Sequence, residues 1–278
     1  MPNKSITSIS GYFVWVMSCY DDTIAKHLFF RGHSQDDWEL LPSVLRGDPK
    51  YNEKEILLDF CNYADAHDIS YDRIYEIDKL LGEMQHYGLP TRLLDWTVSP
   101  LVALYHACLP ASDKSKDGMV YMFNPWKYTK KNVLDREKKL PNIHQVQVLA
   151  RALLAYDWEE NVICQYLEKI FVSVEKIFDS KMNLEHPYPL VSPFSNARKL
   201  HQRGTFMVWG KSKGCLEQNP DYCTSVCVPH KHKSEILDKL NKLYINEYTV
   251  YPDFKGMADM VKTRGGLFNI KKFRPSLS

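Results

Sequence analysis

The chain has 278 residues, 44% hydrophobic and 25% charged, enough apolar material for a sizeable core, and it has no apolar run long enough to span a bilayer. Seven scattered cysteines, an odd number, point to free thiols in a reducing compartment, and the apolar segment Tyr12 to Met17 is too short and lacks the basic lead of a signal peptide, so a cytoplasmic protein is expected. Net charge is only +2 but is unevenly spread: from Arg198 onward there are 15 Lys and Arg against 7 Asp and Glu, a bias that suits either a phosphate-binding surface or two solvated faces of opposite sign.

Apolar residues at helical spacing between Ile6 and Lys26 predict an amphipathic helix. Leu28 to Gly32 reads as a short buried strand with Arg31 at its exit, and Gly32 is expected to let the backbone turn away. A guanidinium there needs a partner: a carboxylate such as Asp36 or Asp95, or the phosphate or ribose of a ligand. Pro42 to Arg46 reads as a turn or short helix, and Tyr51 to Asp68 and Arg73 to Tyr87 as helices.

The densest stretch follows, from Gln85 to Pro100. Gly88 and Pro90 break the preceding helix, Leu93 to Trp96 extends, and Ser99-Pro100 starts a new helix running to Cys108, with Ser99 as N-cap. A strand would thus deliver Asp95, Trp96, Thr97 and Ser99 to a helix N-terminus, a setting suited to an anionic or sugar-bearing ligand; the plainer alternative is that they cap the helix and fill core.

Gly118 to Phe123 reads as a strand stopped by Asn124-Pro125, and the lysine-rich, aromatic Trp126 to Lys131 as an exposed basic loop or a grip for single-stranded nucleic acid. Helices are expected over Ile143 to Tyr156 and Val162 to Ser180, within a helical insertion at 140–186. Tyr188 to Pro193 is extended, Asn196 to Gln202 helical, and Thr205 to Trp209 a strand. Cys215, Cys223, Cys227, His230 and His232 are of zinc-binding types, but their spacing departs from paired C-x2-C motifs, and no metal is expected. Lys231 to Leu243 reads as a helix, Tyr244 to Tyr251 as an alternating strand, and Phe254 to Lys262 as a last helix. The whole is expected to be one α+β domain over 1–278, with residues 1–26 as an N-terminal helical segment.

Phe30-Arg31-Gly32-His33, the run His86 to Thr97 with Ala103-Leu104-Tyr105, Gln202-Arg203-Gly204-Thr205-Phe206 and Pro252-Asp253-Phe254 together resemble the FRG domain family. More distantly, the chain resembles ADP-ribosyltransferases. These place an Arg or His at the end of one strand, a hydroxyl-bearing strand leading into a helix, and a Glu on a later strand. Arg31-Gly32, then Trp96 to Ser99, then Leu243 to Tyr251 with Glu247 follow that order. Two departures stand out: Thr-Val-Ser replaces the usual Ser-Thr-Ser, and Ile245 occupies the position where transferases acting on arginine commonly carry a second acid.

The resemblance implies a split mixed β-sheet core and NAD as substrate. It makes Glu247 and Arg31 catalytic, and places Arg31, Gly32, His33, Asp95, Trp96, Thr97, Ser99 and Tyr248 around the dinucleotide. His86, Arg92 and Gln202 are further pocket candidates; their plainer readings are a satisfied core histidine, an ion pair with Asp95 and a helix-end hydrogen bonder. The expected activity is mono-ADP-ribosyl transfer onto RNA, DNA or protein, by a toxin or phage-defence effector held in check by an antitoxin or inhibitor protein. A non-catalytic nucleic-acid-binding module and an NAD glycohydrolase are the alternatives.

Overall fold

The computed structural model describes residues 5–20, 28–46, 52–67, 77–132, 187–190, 197–209 and 221–252, with single positions 216, 219 and 258. Six strands, β1 Phe29–His33, β2 Leu93–Thr97, β3 Gly118–Phe123, β4 Tyr188–Leu190, β5 Gly204–Val208 and β6 Cys223–Val228, form one sheet in the order β4-β5-β2-β1-β3-β6. Every pairing between these strands is antiparallel, which replaces the expected mixed sheet. Among the described residues, parallel pairing is confined to an isolated bridge between Ser5 and Cys227.

Alternation along each strand builds two cores. Phe30, Val120, Met122, Val226 and Val228 face one side. There they pack with α1 (Ile9–Cys19), α4 (Pro100–Cys108) and α7 (His230–Lys242). Farther along the same face, Leu93, Phe206 and Val208 meet α2 (Glu53–Asp65) and α3 (Ile77–His86). The opposite face carries Phe29, Leu94, Trp96, Tyr121, Phe123 and Met207, covered in part by Leu40, Leu41 and α5 (Pro125–Asn132). Full burial of each such side chain contributes about 1.5–3 kcal/mol.

The helix start read at Ser99-Pro100 is present, with Pro100 as first helical residue. Asn124-Pro125 also starts a helix, α5, rather than a loop: Asn124 Oδ1 accepts from Trp126 N at 3.1 Å and Lys127 N at 3.0 Å. Tyr128 is buried within it, 1% exposed, so it cannot serve as a surface stacking platform.

The strand expected over 244–251 is absent. Tyr244 takes a positive φ of 62°, and Asn246 and Thr249 form a capping box that opens a short helix, α8 (Glu247–Val250). The helices read at 143–156 and 162–180, and the last one at 254–262 except for its single described position 258, lie outside the described residues, as does Cys215. Among the described residues no cluster of potential metal ligands occurs, and no helix is long and apolar enough to cross a membrane.

Candidate functional site

β1 is paired along its whole length with β3, and β2 along its whole length with β5, but β1 and β2 share a single register pair, Phe30 opposite Thr97. The sheet therefore forks at its middle. Beyond that pair the two strands part, leaving Arg31 to His33 on one prong and Asp95 back toward Leu93 on the other.

Arg31 spans the fork. One Nη donates to the main-chain carbonyl of Asp95, and Nε donates to His33 Nε2 at 2.9 Å. Burial lowers its pKa to about 10, the Asp95 carboxylate working against that shift, so the guanidinium stays charged at neutral pH. Its other terminal nitrogen makes no hydrogen bond among the described residues. His33 is 1% exposed, between the ring edges of Trp38 and Tyr121. Burial, with Arg31 and Arg46 adding repulsion, drives its pKa down to about 2, so it is a neutral acceptor that orients Arg31 and not a proton shuttle.

Asp95 alternates onto the other face, beside α3. Gln85 Nε2 donates to Asp95 Oδ2, and Gln85 Oε1 accepts from Thr91 Oγ1 at 3.1 Å. Arg46, just past a 3-10 turn at Ser43–Leu45, donates to Leu41 O at 2.7 Å and adds a second positive charge facing Asp95. Gln85, Thr91 and Arg46 are site residues that the sequence does not single out; the signal it offers is a Gln in the last turn of a helix with a Thr just ahead of the Asp-bearing strand.

Other expected site residues have different work. Gly32 does not turn the chain, since β1 continues through His33: a Cβ at Gly32 would lie 1.9 Å from Ala103 O, so glycine is what lets α4 lie on the strand. Trp96 is 3% exposed and packs on Phe123, a core role; its Nε1 has no hydrogen-bond partner among the described residues. Thr97 Oγ1 is committed, donating to Gln202 O at 2.6 Å and accepting from Ser99 N at 2.9 Å. Ser99 holds the N-cap position of α4 without a side-chain cap bond. Arg92 pairs with Glu53: Nε meets Oε2 at 2.6 Å and the main-chain N meets Oε1 at 2.8 Å. His86 ends α3 with its ring edge-on to Tyr87, and Gln202 ends α6 (Ala197–Gln202).

The structure thus separates the expected residues into two groups. Arg31, His33 and Asp95 gather at the open fork. Thr97, Ser99 and Gln202 gather at its closed end, and α8 packs nearby on α6. Val250 fixes α8 to the helix-covered core, the side to which Asp95 also alternates, whereas Arg31 and His33 project to the opposite face. Glu247 is neither on a strand nor in a hydrogen bond or ion pair through its side chain among the described residues, and Tyr248 beside it is 38% exposed. None of the later described strands, β3 to β6, carries an acidic residue.

No curated protein and no solved structure matches the chain. A family model does, that of the FRG domain, over residues 26–116. The matched region contains Phe30 to His33 and the stretch from His86 to Tyr105, and it leaves Gln202 to Phe206 and Pro252 to Phe254 outside. The residues that build the open fork, from Arg31 through Arg46 and Gln85 to Asp95, all lie within the segment 26–116 that is similar to the FRG domain.

Proposed function

We propose that the fork is the seat of NAD-dependent ADP-ribosyl transfer. In that reaction the bond from the nicotinamide nitrogen to the ribose breaks and nicotinamide leaves with the electron pair. A nucleophile of the acceptor then bonds to the ribose carbon and gives up its proton. The sugar passes through an oxocarbenium-like state, so a site needs a positive anchor for the phosphates and a carboxylate near the developing cation. The supporting observation is Arg31: a charged, half-buried guanidinium, pinned through Nε and one Nη, with the second Nη making no hydrogen bond among the described residues.

The order of an arginine strand followed by a hydroxyl-bearing strand leading into a helix also supports this reading. The carboxylate is where the proposal departs from the sequence expectation. Asp95 replaces Glu247, since it is the acid that shares the fork with Arg31. A purely nucleic-acid-binding reading loses the buried Tyr128 as a stacking surface.

Incubation with labelled NAD and separated RNA, DNA and protein fractions tests the proposal. Wild type is expected to label one fraction, and Asp95→Asn to lower the rate by about 10²–10³-fold. Release of free ADP-ribose alone would make water the acceptor. Unchanged NAD in all fractions would overturn the proposal.

A further inference from the structure

The hydrogen bonds behind Asp95 have a fixed direction. Leu93 N can only donate, and it donates to Thr91 Oγ1 at 3.3 Å, so the hydroxyl proton of Thr91 is left for Gln85 Oε1, 3.1 Å away. With its oxygen end taken, Gln85 must present its NH2 group to Asp95 Oδ2. Each link is polarised by the one before it, starting from a main-chain N–H of the strand itself.

The first links are well anchored. Thr91 is fully buried, its N donates to Ser43 Oγ at 3.1 Å, and its carbonyl accepts from Val44 N at 3.4 Å and Ser43 Oγ at 3.3 Å. Gln85 sits on the last turn of α3, whose Leu80, Leu81 and Met84 are buried. The amide therefore cannot flip without leaving the buried Thr91 hydroxyl and the Asp95 carboxylate each facing a group of the wrong kind.

We infer that Leu93 N, Thr91 and Gln85 form a one-way relay that presents a donor to Asp95, holding it as an ionised acceptor turned toward the fork. Thr91 and Gln85 are then positioning residues, acting through Asp95. The inference rests on the reading of the fork as the reaction site, but the state of Asp95 is measurable without any reaction.

The test is carboxyl-carbon NMR of the full chain, with the Asp95 signal assigned from Asp95→Asn, alongside the pH profile of NAD consumption. Thr91→Val removes the polarising hydroxyl at nearly constant volume. It is expected to move the Asp95 titration upward by about half a pH unit and to shift the acidic limb of the rate with it, because a donor to the charged form is weakened. Thr91→Ser restores both. Gln85→Glu, on a half-exposed helix turn, provides the check should Thr91→Val fold poorly: it sets a second carboxylate against Asp95 and raises its titration further. An Asp95 titration unmoved in every folded variant overturns the relay. A wild-type chain that leaves NAD intact while the titration still shifts overturns the reaction assigned to the fork, and leaves the hydrogen-bond relay standing.

Discussion

Arg31 Nε donates to His33 Nε2 at 2.9 Å, a bond that requires the imidazole to be neutral, with its hydrogen on Nδ1. Folded His33 takes up a second proton only near pH 2, whereas an unfolded histidine does so near 6.5. Between those values the unfolded chain binds the extra proton. The contribution of His33 to stability is therefore whole above about pH 6.5 and falls as pH drops, by at most about 1.4 kcal/mol per unit. Urea unfolding at about pH 5 and about pH 7.5 should show that slope, and His33→Asn, which accepts without titrating, should flatten it. An identical slope in the variant would place the acid sensitivity elsewhere.

Gly32 and Gly88 should respond oppositely to substitution. A Cβ at Gly32 would sit 1.9 Å from Ala103 O and 2.7 Å from Ala107 N, so Gly32→Ala must push α4 off the sheet; a loss of about 3 kcal/mol is expected by thermal or denaturant unfolding. Gly88 has φ of +87° and open space around its Cβ position. Gly88→Asn, a residue that tolerates that region, should cost well under about 1 kcal/mol.

Glu53 reaches both the side chain and the main chain of Arg92, with side-chain exposures of 7% for Glu53 and 13% for Arg92. Glu53→Ala leaves a largely buried guanidinium without this partner and should cost about 3–5 kcal/mol. A double-mutant cycle with Arg92→Met is expected to show strong coupling. The same cycle between Arg92 and Asp95 should not.

At the fork, Arg31→Lys keeps the charge but loses the planar set of donors that meets both His33 and the Asp95 carbonyl. NAD consumption by this variant should show KM raised about tenfold or more, with each tenfold corresponding to about 1.4 kcal/mol of binding. Glu247→Gln should stay within about threefold of wild type, in keeping with its position on α8. A Glu247→Gln variant as inactive as Asp95→Asn would return the carboxylate role to Glu247.

Local signals carried most of the fold into the sequence. Alternation in Gly118 to Phe123, the Ser99-Pro100 start and the apolar spacing of α7 were each legible because the residues that decide them are neighbours in the chain. Two errors were also local and had readable signals. Asn124-Pro125 does end β3 at Phe123, but it is also the same cap-plus-proline start as Ser99-Pro100, so a helix follows where a basic loop was expected. Tyr244 to Tyr251 alternates like a strand, yet Asn246 and Thr249 stand three apart as a capping box.

The site was less legible because its decisive feature is a relation between strands. Arg31 and Asp95 could be picked out as residues in need of partners, but nothing in the primary string says that β1 and β2 share one register pair. Gly32 was misjudged for a similar reason: the atom it must avoid belongs to Ala103 on α4. Glu53 as the partner of Arg92 is hidden because α2 and α3 both lie between them in the chain.

The lone rung at Phe30 and Thr97 makes the middle of this sheet its mechanically weakest line. Strands β4, β5 and β2 form one plate and β1, β3 and β6 another, each stitched by its own ladder, and the seam between them is held by the Arg31 strap and by α4 lying across β1. Parting the plates would break that one rung and the Arg31 strap while leaving the ladders within each plate whole.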